Sequence, residues 1–191
     1  MRTAIPLLAL ALAGCQPATG PGGETPWAPG GTSGDNTVGG ATVPNTAPTR
    51  TIAGDLADGS AMDLSWAAPS YCWPATENVN FTGNHVVEAF QQPRGIDVYL
   101  RLVPDSGVDV SLYAIQDGTQ QTPPNVTSPF ECAAMYDQSS DSNPGQPEVL
   151  YLANYIDFWM TVGVAGANGA TSGGYELQIW EVPGANYDTG L

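Results

Sequence analysis

The chain has no lysine and only four arginines against 19 aspartates and glutamates, so its formal net charge is −15 over 191 residues. A surface of that sign repels phosphate, which excludes an electrostatic nucleic-acid binder. One histidine, His85, and three cysteines, Cys15, Cys72 and Cys132, leave too few soft ligands for a three-ligand zinc site built without carboxylates. Most metal-hydrolase readings fall with it. Charged residues make up only 12% of the chain, and no stretch keeps the 3.6-residue period over three turns, which argues against coiled coils and long helices. A Gly-x-Ser-x-Gly elbow is also missing, and with it the usual strand-to-helix nucleophile.

What is present begins with an export signal. Residues 1–14 carry one charge, Arg2, then the apolar run Thr3 to Ala13, and end on Ala13-Gly14 directly before Cys15. The run is too short to span a bilayer as a helix. Leu12-Ala13-Gly14-Cys15 resembles the lipobox of bacterial lipoproteins, in which the cysteine sulfur receives a diacylglycerol and signal peptidase II cuts before it. The resemblance implies an acylated N-terminus at Cys15 and a membrane as the first partner, since each buried methylene contributes roughly 0.8 kcal/mol. Gln16 in place of an aspartate favours the outer membrane of the cell envelope, by analogy with the sorting rule of Gram-negative envelopes.

From Gln16 to Thr49, 8 glycines, 6 prolines and 8 serines or threonines fill 34 positions. Such composition cannot offset chain entropy by burial, so residues 15–49 are expected to form a disordered tether with a span of about 30 Å. Trp27 within it reads as an isolated exposed ring. The folded domain is expected from Arg50 to Val182, about 135 residues and one domain of common size. Residues 183–191 then form a tail.

Within the domain, Ile96, Val98, Leu100 and Leu102 alternate with Asp97, Tyr99, Arg101 and Val103, the period of a strand buried on one face. Val108 to Ala114, Phe158 to Val164 and Tyr175 to Ile179 repeat it. Weaker strand candidates are Thr51 to Leu56, Ala61 to Trp66, His85 to Gln91, Cys132 to Tyr136 and Pro147 to Ala153. Pro104-Asp105-Ser106-Gly107 has the length of a hairpin turn, which predicts that the strands on either side of it pair. The whole reads as all-β, an antiparallel β-sandwich.

With Cys15 acylated, Cys72 and Cys132 remain in an oxidising compartment, and one disulfide between them is the expected state. It would close a loop of about 60 residues, worth up to about 4 kcal/mol in the entropic model. It is expected to fasten the segment Tyr71 to Asn84 to the loop before Cys132. A metal thiolate pair lacks nearby partners.

Three strands carry a family resemblance. Gly95-Ile96-Asp97-Val98-Tyr99-Leu100, Val108-Asp109-Val110-Ser111-Leu112-Tyr113 and Gly174-Tyr175-Glu176-Leu177-Gln178-Ile179 resemble, in order and spacing, the strand signatures of bacterial pre-peptidase C-terminal domains. Members with an extra cysteine pair at corresponding places are also like this chain. The resemblance covers Thr51 to Trp180 and implies a jelly-roll-like sandwich, without catalytic residues, appended to secreted proteases and other surface proteins. Because the tether leads directly into the domain in this sequence, the appended form with a preceding protease is not expected here.

The remaining chemistry is sparse. His85 reads as a surface or turn residue in preference to a general base. Asp97 and Asp109 read as structural carboxylates that bind a backbone amide or a turn hydroxyl or face water, in preference to metal ligands. The stretch Asp137 to Glu148, with Asp141 and Asn143, offers oxygen donors of the kind Ca²⁺ takes but lacks EF-hand spacing, so a solvated loop is preferred to a calcium site. Tyr71, Trp73, Trp159 and Trp180 include rings expected outward, able to stack on sugars or anchor a protein, although packing within the sandwich is the commoner use of strand tryptophans. The sequence therefore leads to a non-catalytic, lipid-anchored envelope surface protein with a protein or envelope partner. A carbohydrate-binding module contacting glycan through Trp73, Asp137 and Asp141, with calcium, is the alternative.

Overall fold

In a computed structural model the described residues are 37–38, 41–67, 72–73, 75–117, 131–135, 146–153 and 156–184. They form β1 (Thr37–Val38), β2 (Ala41–Thr42), β3 (Arg50–Asp55), β4 (Ser60–Ala61), β5 (Asn84–Gln92), β6 (Ile96–Pro104), β7 (Val110–Asp117), β8 (Glu131–Met135), β9 (Glu148–Leu152), β10 (Phe158–Gly166) and β11 (Gly174–Pro183). Short 3-10 turns occupy Leu56–Asp58, Ala75–Phe81 and Ala167–Gly169.

The pairing is nested and antiparallel throughout: β3 with β11, β5 with β10, β6 with β9, and β7 with β8. It is one long ribbon folded back at the β7 to β8 connection and then wound upon itself. Winding lets β11 also pair with β6 and β10 with β7, giving sheets ordered β4-β5-β10-β7-β8 and β3-β11-β6-β9. This is a jelly roll, a sandwich of two antiparallel sheets. A separate small pair, β1 with β2, lies against β9.

Alternation decides what lies between the sheets. Val98, Leu100 and Leu102 of β6, Leu150 and Leu152 of β9, and Tyr175, Leu177 and Ile179 of β11 meet Val110, Leu112 and Ala114 of β7 and Met160, Val162 and Val164 of β10. Each fully buried side chain of this size contributes roughly 1.5–3 kcal/mol against chain entropy. Leu56, on the 3-10 turn that carries the chain from β3 to β4, plugs one end of this core. Asp55 starts that turn, accepting from the Ala57 amide at 2.8 Å, and this capping ends β3 one residue before Leu56.

Three expectations change. The strands flanking Pro104-Asp105-Ser106-Gly107 do not form a hairpin: β6 lies in the four-stranded sheet and β7 in the five-stranded one. The turn, closed by Val108 N donating to Asp105 O at 3.0 Å, carries the chain across the sandwich instead of along one sheet. Of the candidate strand Ala61 to Trp66 only the first residue pairs, within β4, and the chain then leaves the sheet to cover its outer face. Finally, packing starts ahead of Arg50. Val43 is buried with Val149 and Trp180, Thr46 O accepts from Trp180 Nε1 at 2.8 Å, and Thr49 Oγ1 accepts from the Glu181 amide at 3.0 Å.

Candidate functional site

The chemically versatile side chains gather on the outer face of the five-stranded sheet. There Tyr113 and Ile115 of β7 and Ala165 of β10 point away from the sandwich, and an apolar outer row is stable only if something covers it. The cover is the segment between β4 and β5, which lays Trp66, Ala67, Trp73 and Phe81 on that row. Trp73 stacks on Phe81 with ring centroids 3.8 Å apart, and Trp66 meets Trp73 edge-on at 5.3 Å. Such pairs add roughly 0.5–1.5 kcal/mol each to the burial itself.

Trp73 is therefore not an outward ring. It is 2% exposed, and its indole N–H donates to Asn78 Oδ1 at 2.8 Å, so both its apolar and polar parts are used inside the layer. Trp180 is buried in the same sense beneath Val43 and Thr46, while Trp159 is half-buried.

His85 is likewise corrected from a surface or turn residue to a buried strand residue, 4% exposed. Its Nε2 faces the Phe81 carbonyl at 2.8 Å and its Nδ1 faces the Tyr113 hydroxyl at 3.1 Å. A carbonyl can only accept, so Nε2 carries the proton and Nδ1 receives the Tyr113 hydrogen. Burial holds the imidazole below its ordinary pKa against the opposing effect of the Phe81 carbonyl, and it pushes the Tyr113 phenol upward. The pair is a neutral, mutually satisfied unit.

The Cys72–Cys132 disulfide fastens this cover, with Cα atoms 4.9 Å apart. Its far end lies in the strand expected from Cys132 onward and not in a loop before it. Cys132 lies in β8 opposite Ile115, so the bond ties the covering segment directly to the sheet.

The outer face of the four-stranded sheet is more open. Tyr99 of β6 and Tyr151 of β9 are cross-strand partners with ring centroids 4.7 Å apart, both half-buried. Tyr151 donates its hydroxyl hydrogen to Asp97 Oδ2 at 2.9 Å, giving that carboxylate a phenol partner where an amide, a turn hydroxyl or water was expected. Burial, and secondarily the Asp97 charge, raise the Tyr99 pKa. Asp109 accepts from Asn168 Nδ2 at 3.4 Å, and burial raises its pKa.

Among the described residues no three histidine, cysteine, aspartate or glutamate side chains gather to hold a metal ion. Cys15, Trp27, Tyr71, Asp137 and Asp141 lie outside the described residues. The burial of Trp73 and His85 did have a signal: β7 carries apolar or aromatic residues on both faces, Leu112 and Ala114 on one and Tyr113 and Ile115 on the other, which requires a covering layer. Tyr99 and Tyr151 could be paired only once the register of β6 with β9 was known.

Compared with protein-family models and with curated proteins, the chain matches none. The likeness to pre-peptidase C-terminal domains thus stands on the strand motifs quoted above.

Proposed function

We propose that this chain is a non-catalytic, lipid-anchored protein of the bacterial cell envelope, held at a membrane through acylated Cys15, whose jelly roll contacts a protein or envelope partner. One relation carries the reading. The side chains with the greatest chemical reach, His85, Tyr113 and Trp73, satisfy one another and their neighbours beneath the disulfide-fastened cover. The half-buried rings of Tyr99 and Tyr151, of a residue type enriched where proteins bind, and the exposed Thr51 and Ala53 are left for a partner to meet. The Arg2, apolar-run and Leu12 to Cys15 arrangement supplies the anchor, and fold alone assigns no activity. The test is metabolic labelling with a tagged fatty acid in wild type and Cys15→Ser, followed by crosslinking in intact envelopes. Labelling confined to wild type and a reproducible crosslinked partner are expected; equal labelling, or turnover of a substrate by the purified protein, would overturn it.

A second reading, glycan binding, loses Trp73 but keeps one support, the adjacent half-exposed rings of Tyr99 and Tyr151. A polysaccharide array run with and without calcium, on wild type and Tyr151→Ala, separates the two. Tight glycan binding lost in Tyr151→Ala would favour this second reading.

A further inference from the structure

Among the described residues β3 ends the four-stranded sheet and pairs only with β11. Which of its main-chain groups are left over follows from one bond. Leu56 N donates to Gly173 O at 3.0 Å, one step beyond the Asp55 and Gly174 pair, which makes that pair a non-hydrogen-bonded one. By alternation, Arg50, Ile52 and Gly54 exchange hydrogen bonds with β11, and Thr51, Ala53 and Asp55 aim their N–H and C=O groups away from the sheet. An edge of this kind is ordinarily blunted by lysine, proline or a bulge. Here the string Arg50-Thr51-Ile52-Ala53-Gly54-Asp55 has none of these, its two charges stand at its ends, and Thr51 and Ala53 are exposed. Elsewhere β4 covers the start of β5, and β1 and β2 lie against β9.

The opposite sheet is open at the same side. Val86, Glu88 and Phe90 of β5 share the inward face with Val164, Val162 and Met160 of β10, and Ile52, Val86 and Phe90 are only partly buried against the core. Three carboxylates belong to the elements that bound this opening: Glu88 on the inward face of β5, Asp55 at the end of β3 and Asp58 on the turn that follows it. The Tyr175 hydroxyl lies where a Cβ on Gly54 would stand, and Glu88, Asp58 and Asp55 all act electrostatically on that phenol. Arg50, a cation at this opening, is already engaged, its guanidinium 4.2 Å above the Phe90 ring and 3.6 Å from Glu181.

We propose that the β3 edge receives an extended, lysine- or arginine-bearing segment of a partner protein as an added strand. Main-chain groups of Thr51 and Ala53 would hold it, its apolar side chains would cover Ile52, Val86 and Phe90, and its cations would meet Glu88, Asp58 and Asp55. A second copy of this chain fits poorly, because it brings the same carboxylates to the same place. The proposal rests on the reading of the jelly roll as a partner-contacting module.

The test titrates the full chain with an acetylated and amidated peptide of alternating lysine and valine, six residues long, while amide resonances of β3 are followed. Two comparison peptides carry glutamate for lysine, or N-methyl groups on alternate amides. Saturable binding with shifts at Thr51 and Ala53, weakened at least about tenfold by either change, is expected. Ala53→Pro, which removes an N–H that β11 does not use, should abolish it with the circular dichroism spectrum unchanged. Should that variant fail to fold, Glu88→Lys must weaken binding of the lysine peptide instead. Equal binding of the N-methylated peptide, no binding, or dimers through β3 would overturn the proposal. Envelope crosslinking that persists in Ala53→Pro would overturn the edge assignment alone, whereas loss of the Cys15 label bears only on the anchored-module reading.

Discussion

Tyr113 and Gly163 face each other across β7 and β10, and the phenol ring occupies the space that a Cβ on Gly163 would need. The relation explains why this strand, from Phe158 to Gly166, carries a glycine near its centre. It also sets the height of the aromatic layer, since Trp66, Trp73 and Phe81 all touch that ring.

Gly163→Ala is therefore expected to destabilise the protein by about 1–3 kcal/mol, the usual range for forcing a group into a filled core. The displaced ring also strains its bond to His85 Nδ1. Urea unfolding measures this as a lower midpoint at unchanged slope. An unchanged midpoint would mean that the ring moves aside at no cost.

The disulfide makes a separate contribution. It spans 60 residues of sequence and ties the segment bearing Trp66 and Trp73 to β8. Cys72→Ser with Cys132→Ser should lose about 2–4 kcal/mol. Because the bond crosses from cover to sheet, local opening should increase as well. Limited proteolysis of the double variant ought to cut first between residues 62 and 81, under conditions where the wild type is intact. Cleavage that begins elsewhere would assign the bond a purely global role.

The strands were legible in the sequence wherever one face is buried and the other wet. Ile96 to Leu102 is the clearest case, because its alternation is that of β6 itself. Partner choice was not legible in the same way. The turn after β6 marks a reversal, but its length does not say whether the next strand pairs or crosses to the other sheet, and β6 finds its partners in β9 and β11, far along the chain. The burial of Trp73 and His85 was hard to read for a related reason. Their burial depends on a segment without regular periodicity folding over β7, so only the two-sided apolar pattern of β7 hinted at it. The unguarded edge of β3 follows from sheet order, which alternation does not contain.

Val43 offers a test of where the folded body begins. Seated on Val149 and Trp180, it belongs to a stretch whose composition predicted a tether, and Thr46 and Thr49 add two hydrogen bonds to β11. A protein lacking residues 1–49 should be less stable than one lacking residues 1–40 by about 1.5–3 kcal/mol, the worth of one buried valine. The longer deletion also uncovers Trp180, so its fluorescence should shift to the red. Equal stability of the two forms would return residues 41–49 to the tether.

The buried imidazole makes stability depend on pH in a defined direction. His85 is neutral in the fold because burial lowers its pKa from the ordinary 6.5. The unfolded chain therefore binds a proton at higher pH than the folded one does, and stability must rise with pH wherever that difference is felt. The contribution is complete above 6.5 and is lost progressively as pH falls from there toward the lower folded value. Protonation would also turn Nδ1 into a donor facing the Tyr113 hydroxyl, which would then need another acceptor for its own hydrogen among the rings of Trp66, Trp73 and Phe81. Asp55 and Asp63 titrate elsewhere. Backbone N–H groups, of Ala57 and Gly173 for the first and of Ser65 for the second, hold both below 3.8, so their contributions persist until the medium is more acidic still. Melting temperature measured from pH 8 to pH 5 should fall for the wild type and stay flatter for His85→Gln, which keeps one donor and one acceptor but cannot take a proton. Parallel curves for the two proteins would show that the imidazole is not what titrates.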